Sequence, residues 1–242
     1  MKDESGRENP AKEFAAVRRA ALELLCETEA GKRFIDEILS ERIGEFEQRD
    51  RRLLQEISYG ALRHQNTIDR ILKAYLKLSM DRQSPAVRWG LRLGSYQLIY
   101  LSRVPAHAAV NQTLEGMKAL AGVGRKDVGF VNAVLHRLAG DITRKTRDAP
   151  PEQHDPNVLP ARDGFCHFNR PVLPLVRLDL VDHLSVKYSY PRWMVQTWLT
   201  RFGAGEIADL LIAGNRTPRM CARVTPRAPS RAEAIEALGA EG

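Results

Sequence analysis

Residues Asp50–Asp69, DRRLLQEISYGALRHQNTID, decide the fold. Leu53, Leu54, Ile57 and Ala61 recur three and four positions apart, and Ile68, Ile71, Leu72, Tyr75 and Leu76 resume the pattern. That spacing stacks apolar side chains on one face of a helix. It predicts a helix over Arg49–Arg63 and a second one with Asn66 as its N-cap. Gly60 weakens the first helix, which implies close packing against a neighbour there.

The same period extends in both directions. Lys12–Glu27 carries Phe14, Val17, Ala21, Leu24 and Leu25, and Arg33–Phe46 carries Ile35, Ile38, Leu39 and Ile43. Downstream, Ser84-Pro85 has an N-cap residue followed by proline at the first helical position. The helix it opens, Pro85–Leu101, is apolar nearly all round, as the buried centre of a bundle is. Arg88, Arg92 and Ser95 leave it one polar strip. Val104-Pro105 ends it, and Ala106–Leu120 and Lys126–Leu138 follow as helices. The fold class expected for residues 11–140 is an all-α bundle of about seven helices, preceded by a disordered segment over 1–10.

Residues 141–187 change character. Pro150, Pro151, Pro156, Pro160, Pro171 and Pro174 punctuate the first part with little periodicity, which points to a linker. Over 188–242 a small, incomplete α/β segment is expected. Tyr190-Pro191 starts a helix to Arg201 with Trp193 and Trp198, and Ala204–Ala213 forms another. Arg219–Pro226 alternates as a strand does. Ser230 and Glu233 make a capping box for a helix to Leu238, and Gly239–Gly242 supplies turn chemistry.

Charge is uneven along the chain. Residues 1–47 hold 8 Lys/Arg against 12 Asp/Glu, residues 48–140 hold 15 against 6, and residues 141–242 hold 14 against 12. A basic middle between acidic and near-neutral flanks is the footprint of a phosphate-binding surface, with a solvated basic face as the plain alternative. No apolar run is long enough for a membrane helix, so no membrane partner is expected. The polar start, MKDESGRENPAKEF, lacks a secretory core. Three scattered cysteines, Cys26, Cys166 and Cys221, suit a reducing cytoplasm.

Several motifs in order carry a family resemblance. They are Arg18-Arg19 on the first helix, Arg49-Asp50-Arg51, Leu91-Arg92-Leu93-Gly94-Ser95-Tyr96, Val104-Pro105 with Val110-Asn111, and Phe130-Val131-Asn132-Ala133-Val134-Leu135. Together they resemble the NusB/RsmB superfamily of all-helical RNA-binding domains. Gln112 stands where that family usually has Glu. Tyr59-Gly60-Ala61-Leu62-Arg63 and the arm Tyr190-Pro191-Arg192-Trp193…Trp198…Phe202-Gly203, with Asn215, Arg223-Val224 and the Ser230 helix, narrow the likeness to RsmB-type rRNA cytosine-C5 methyltransferases. The resemblance implies binding to small-subunit rRNA. In a complete member it also implies S-adenosylmethionine as cofactor.

The residues for methyl transfer are not found in this chain. Attack on cytosine needs a thiolate, which the family places beside proline. Cys26 lies between Leu25 and Glu27, Cys166 between Phe165 and His167, and Cys221 in the expected strand. Gly122-Val123-Gly124 follows no strand, so it does not match a nucleotide-binding turn. No catalytic residue, metal ligand or cofactor site is therefore assigned. Cys166-His167 with His154 lacks zinc spacing, and His64, His107 and His136 are read as capping or packing residues.

Binding remains. Arg18, Arg19, Arg49, Arg51, Arg52, Arg63, Arg88, Arg92 and Lys126 are the candidate RNA contacts, because Arg and Lys neutralise phosphates. Each could equally be a solvated surface charge, and Arg51 or Arg63 could pair with Asp50 or Asp69. The leading expectation is the RNA-binding region of an rRNA methyltransferase, with the catalytic domain absent from this chain. Two alternatives stay open: a stand-alone antitermination factor with a ribosomal protein partner, or a truncated fragment without a retained role.

Overall fold

The computed structural model describes residues 10–31, 33–148, 154–216, 223–225 and 230–241, with the backbone alone at 10–14 and 241. The disordered segment expected over 1–10 lies outside these residues except for Pro10, which opens the first helix. Seven helices form the bundle: α1 Pro10–Glu29, α2 Ile35–Arg42, α3 Gln48–Arg63, α4 Gln65–Leu72, α5 Pro85–Tyr100, α6 Ala106–Lys118 and α7 Arg125–Asp141. A 3-10 turn, Ile43–Glu45, shortens the second expected helix.

Helix α5 is the hub. Ser84 accepts from the Val87 amide at 3.4 Å and Pro85 takes the first helical position. Nearly every side chain beyond them is buried, and α1, α3, α4, α6 and α7 all pack on α5. The polar strip turns inward too: Arg92 is 8% and Ser95 0% exposed. Small residues set the closest crossings. A methyl on Gly60 would stand 2.0 Å from the Tyr96 ring, and one on Gly116 would meet the α1 backbone at 2.9 Å.

Asn66 does not cap α4. The helix starts at Gln65 with His64 as its N-cap, two positions earlier than expected, and the Asn66 side-chain amide instead donates to the Tyr190 carbonyl at 3.2 Å. The chain bends so tightly after α3 that His64 ends that helix and begins the next.

The expected linker is built structure. Strands β1 Ile142–Thr146, β2 Val158–Ala161 and β3 Gly164–Phe168 form an antiparallel sheet in the order β1-β3-β2. Leu159 pairs with Cys166 across it, and both join the bundle's core together with Phe168 and Leu173. Proline misled the sequence reading because the prolines avoid the central strand. Pro160 sits on an edge strand, where a missing amide is tolerated. Pro156, Pro171 and Pro174 lie in the connections, and Pro150 and Pro151 lie outside the described residues.

Two helices form the arm, α8 Leu180–Tyr188 and α9 Arg192–Asn215, the latter broken at Gly203 where φ is 75°. Asp179 caps α8, and Ser189 ends it in the left-handed region. Val181, Leu184, Tyr188, Val195, Ile207 and Leu211 make a second, smaller core. Trp198 packs edge-on against Tyr190, whereas Trp193 is 68% exposed. The strand expected at Arg219–Pro226 lies mostly outside the described residues, and 223–225 carry no regular structure. Helix α10, Arg231–Glu241, has the expected capping box, Glu233 accepting from the Ser230 amide at 2.6 Å. It runs through the turn expected at Gly239 because Gly239 stays helical. Among the described residues, no helix is long and apolar enough to cross a membrane.

Candidate nucleic-acid interface

Helix packing sorts the nine candidate cations into two groups. Arg18 is 3% exposed, and its Nε donates to Gln97 Oε1 at 3.1 Å. Gln97 in turn donates to Thr113 at 2.9 Å, so one polar chain ties α1, α5 and α6 together inside the bundle. Burial pulls the Arg18 guanidinium down to about 10, and Asp50 opposes that shift. Arg92 makes a two-point bond with Asp69, at 2.9 and 2.7 Å, and stacks 4.6 Å from the Trp89 ring. Arg88 donates to Glu29 at 3.1 Å and to the Gln83 carbonyl at 2.6 Å. These three charges are spent on the bundle itself.

Arg51 is exposed, but it holds the carbonyls of Phe46 and Gly44, closing the 3-10 turn before α3. It pairs with neither Asp50 nor Asp69. Arg19 is exposed and pairs one helical turn away with Glu23 at 2.8 Å. Arg49, Arg52, Arg63 and Lys126 are exposed. Arg49 and Arg52 stand three positions apart at the start of α3, so they share a face. Arg63 is at that helix's other end, and Lys126 opens α7.

The sequence reading named Arg63 but missed three further cations that lie near it, Arg70, Lys73 and Arg192. Between α4 and the α8–α9 turn lies a cleft of about 620 Å³, with Arg63, Arg70, Lys73 and Arg192 on its walls. Asn66, Arg70 and Lys73 lie at the i, i+4, i+7 spacing of one stripe, opposite the apolar face of α4. The apolar period of α4 was the signal that could have found this stripe, but not its partner, because Asn66 and Tyr190 are 124 positions apart.

Other chemistry is muted. Cys26 is half-buried and its thiol is pushed up to about 11, first by burial and then by Glu29. Cys166 is buried and pushed up to about 12 by burial. Neither is a ready thiolate at neutral pH. Cys221 lies outside the described residues. His64 stacks on Tyr100 at 4.1 Å, whereas His107 and His136 are exposed. Among the described residues, no three His, Cys, Asp or Glu converge as metal ligands. The strands form an antiparallel sheet, and Gly122 and Gly124 join two helices, so the described residues do not fit S-adenosylmethionine.

A buried hub helix ringed by α1, α3, α4, α6 and α7, with exposed arginines on the rim, defines an all-helical bundle domain. The chain belongs to the NusB family, whose model matches residues 15–140. Residues 190–242 match the ferredoxin-like domain of RsmF/B-like methyltransferases. Among similar proteins is the probable ribosomal RNA small subunit methyltransferase B of Bacillus subtilis, 27% identical over 94% of this chain and 44% of that protein. Another is ribosomal RNA small subunit methyltransferase B of Pseudomonas putida, 30% identical over 93% of this chain and 43% of that protein. The chain thus spans less than half the length of these relatives. Among solved structures, T. maritima NusB is 23% identical with a TM-score of 0.48, covering 58% of this chain and 94% of that one.

Proposed function

We propose that this chain is the RNA-binding region of a cytoplasmic, S-adenosylmethionine-dependent methyltransferase of small-subunit rRNA cytosine C5. One observation carries the reading: a NusB match over 15–140 is followed on the same chain by an RsmF/B ferredoxin-like match over 190–242. The methyl-transfer chemistry belongs to the complete enzyme, and this chain's residues contribute binding and placement. Arg49, Arg52, Arg63 and Lys126 are exposed and meet phosphates, with Arg19 joining once its exposed pair to Glu23 is exchanged. Arg18, Arg88 and Arg92 contribute indirectly by holding the bundle in shape.

Phosphate contacts release counterions, so affinity for RNA falls linearly with salt on logarithmic axes. Titrating a labelled small-subunit rRNA fragment between about 50 and 200 mM salt tests this. A steep fall supports the reading. Salt-independent binding, or none at the lowest salt, overturns it.

A further inference from the structure

The cleft between α4 and the α8–α9 turn is built from both halves of the molecule. The Asn66 side-chain amide donates to the Tyr190 carbonyl at 3.2 Å, and the Thr67 backbone N–H donates to Ser189 Oγ at 3.4 Å. These bonds tie the bundle to the arm beside the cleft. We propose that this cleft is an RNA site that takes a single strand by its phosphates and holds bundle and arm on one RNA, a proposal that rests on the RNA-binding reading above.

Charge is the first ground. Among the described residues, Arg63, Arg70, Lys73 and Arg192 line the cleft against Asp69 and Asp182. Asp69 is already held by Arg92 from inside the bundle. Asp182 alone faces both Arg70 at 3.2 Å and Arg192 at 3.9 Å, while Arg192 also reaches Asp179 at 2.7 Å. These arginines are about half exposed, and surface pairs of that kind contribute about 0–1 kcal/mol. A phosphate, bonded at two points by a guanidinium, competes well with them.

Shape is the second ground. A volume of about 620 Å³ is in the range of sites that enclose a small ligand. Duplex RNA is read across its broad, shallow groove and does not enter such a cleft. The path also continues: a second cleft of about 400 Å³ shares Arg70 and Lys73 and adds Arg170. Among the described residues no aromatic ring lines the first cleft, so binding draws on phosphates more than on base stacking and tolerates any sequence.

The test uses the full chain, a labelled single-stranded RNA of mixed sequence and a duplex of the same sequence, each titrated across salt. The double variant Arg70→Gln/Lys73→Gln is expected to lower the single-strand salt slope by about 1.4, at about 0.7 per charge, and to leave duplex binding unchanged. Gln65→Lys, which adds a charge to an exposed wall position, is expected to steepen the slope by about 0.7. It decides the matter if the double variant melts early. If the wild-type chain binds RNA and both variants keep its slope, the cleft is not a site, although RNA binding stands. Equal losses on strand and duplex overturn the single-strand assignment. If the wild-type chain binds neither RNA at low salt, the RNA-binding reading falls and the cleft proposal falls with it.

Discussion

Arg92 and Asp69 meet through two parallel hydrogen bonds, Nε to Oδ1 at 2.9 Å and Nη2 to Oδ2 at 2.7 Å, where α5 packs against α4. Glu29 approaches the same guanidinium at 3.7 Å. Arg92 is buried, while Asp69 keeps about 29% of its side chain exposed at the cleft, so losing the arginine leaves a partly solvated carboxylate. Arg92→Leu is therefore expected to cost about 1–3 kcal/mol of stability, less than breaking a fully buried pair. Arg92→Lys also destabilises, because an ammonium cannot reproduce the fork. Urea unfolding midpoints measure both.

Two glycines separate packing from propensity. Gly116→Ala pushes a methyl against the backbone of Arg18 and Arg19, which cannot step aside. The expected loss is about 1–3 kcal/mol. Gly129→Ala, in α7, meets nothing within 4 Å, so the helix gains about 0.5–1 kcal/mol. Thermal melting of the pair checks the opposite signs.

His64 gives the fold an acid limit. Burial, with help from Arg63, lowers its pKa from 6.5 to about 4, and its ring faces Tyr96 and Tyr100. Above pH 6.5 the imidazole is neutral whether folded or unfolded, and stability is unaffected. Between 6.5 and about 4 the unfolded chain takes up a proton that the folded chain refuses, so stability falls with pH. The loss approaches about 3 kcal/mol below that window. Subtracting the pH profile of His64→Phe from the wild-type profile isolates it from the carboxylates.

Burial also governs the thiols. With Cys26 raised to about 11 and Cys166 to about 12, native alkylation at pH 8 is expected to be slow at both. Peptide mapping after iodoacetamide treatment reads each site, and fast modification of either in the folded chain contradicts this account.

Helix periodicity made the bundle legible. Ser84 and Pro85 mark the start of α5 because an N-cap and a helical proline are local chemistry. The sheet was not legible, since its strands span only four or five residues and Leu159 finds Cys166 by folding back. The basic segment was visible as charge, but sequence could not tell Arg18 and Arg92, turned inward, from Arg49 and Arg52, turned outward. Helical spacing exposes a stripe such as Asn66, Arg70 and Lys73. What sits across from it depends on where a segment 124 positions later comes to rest.

The central claim is that the outward cations of this NusB-family chain meet RNA. Ultraviolet crosslinking to a small-subunit rRNA fragment at low salt, with the attached peptides mapped by mass spectrometry, tests it most directly. The account predicts crosslinks on peptides from Gln48 through Lys73, which carry the α3 arginines and the cleft wall, and at the start of α7. Crosslinks confined to other surfaces, or none at all, would contradict it.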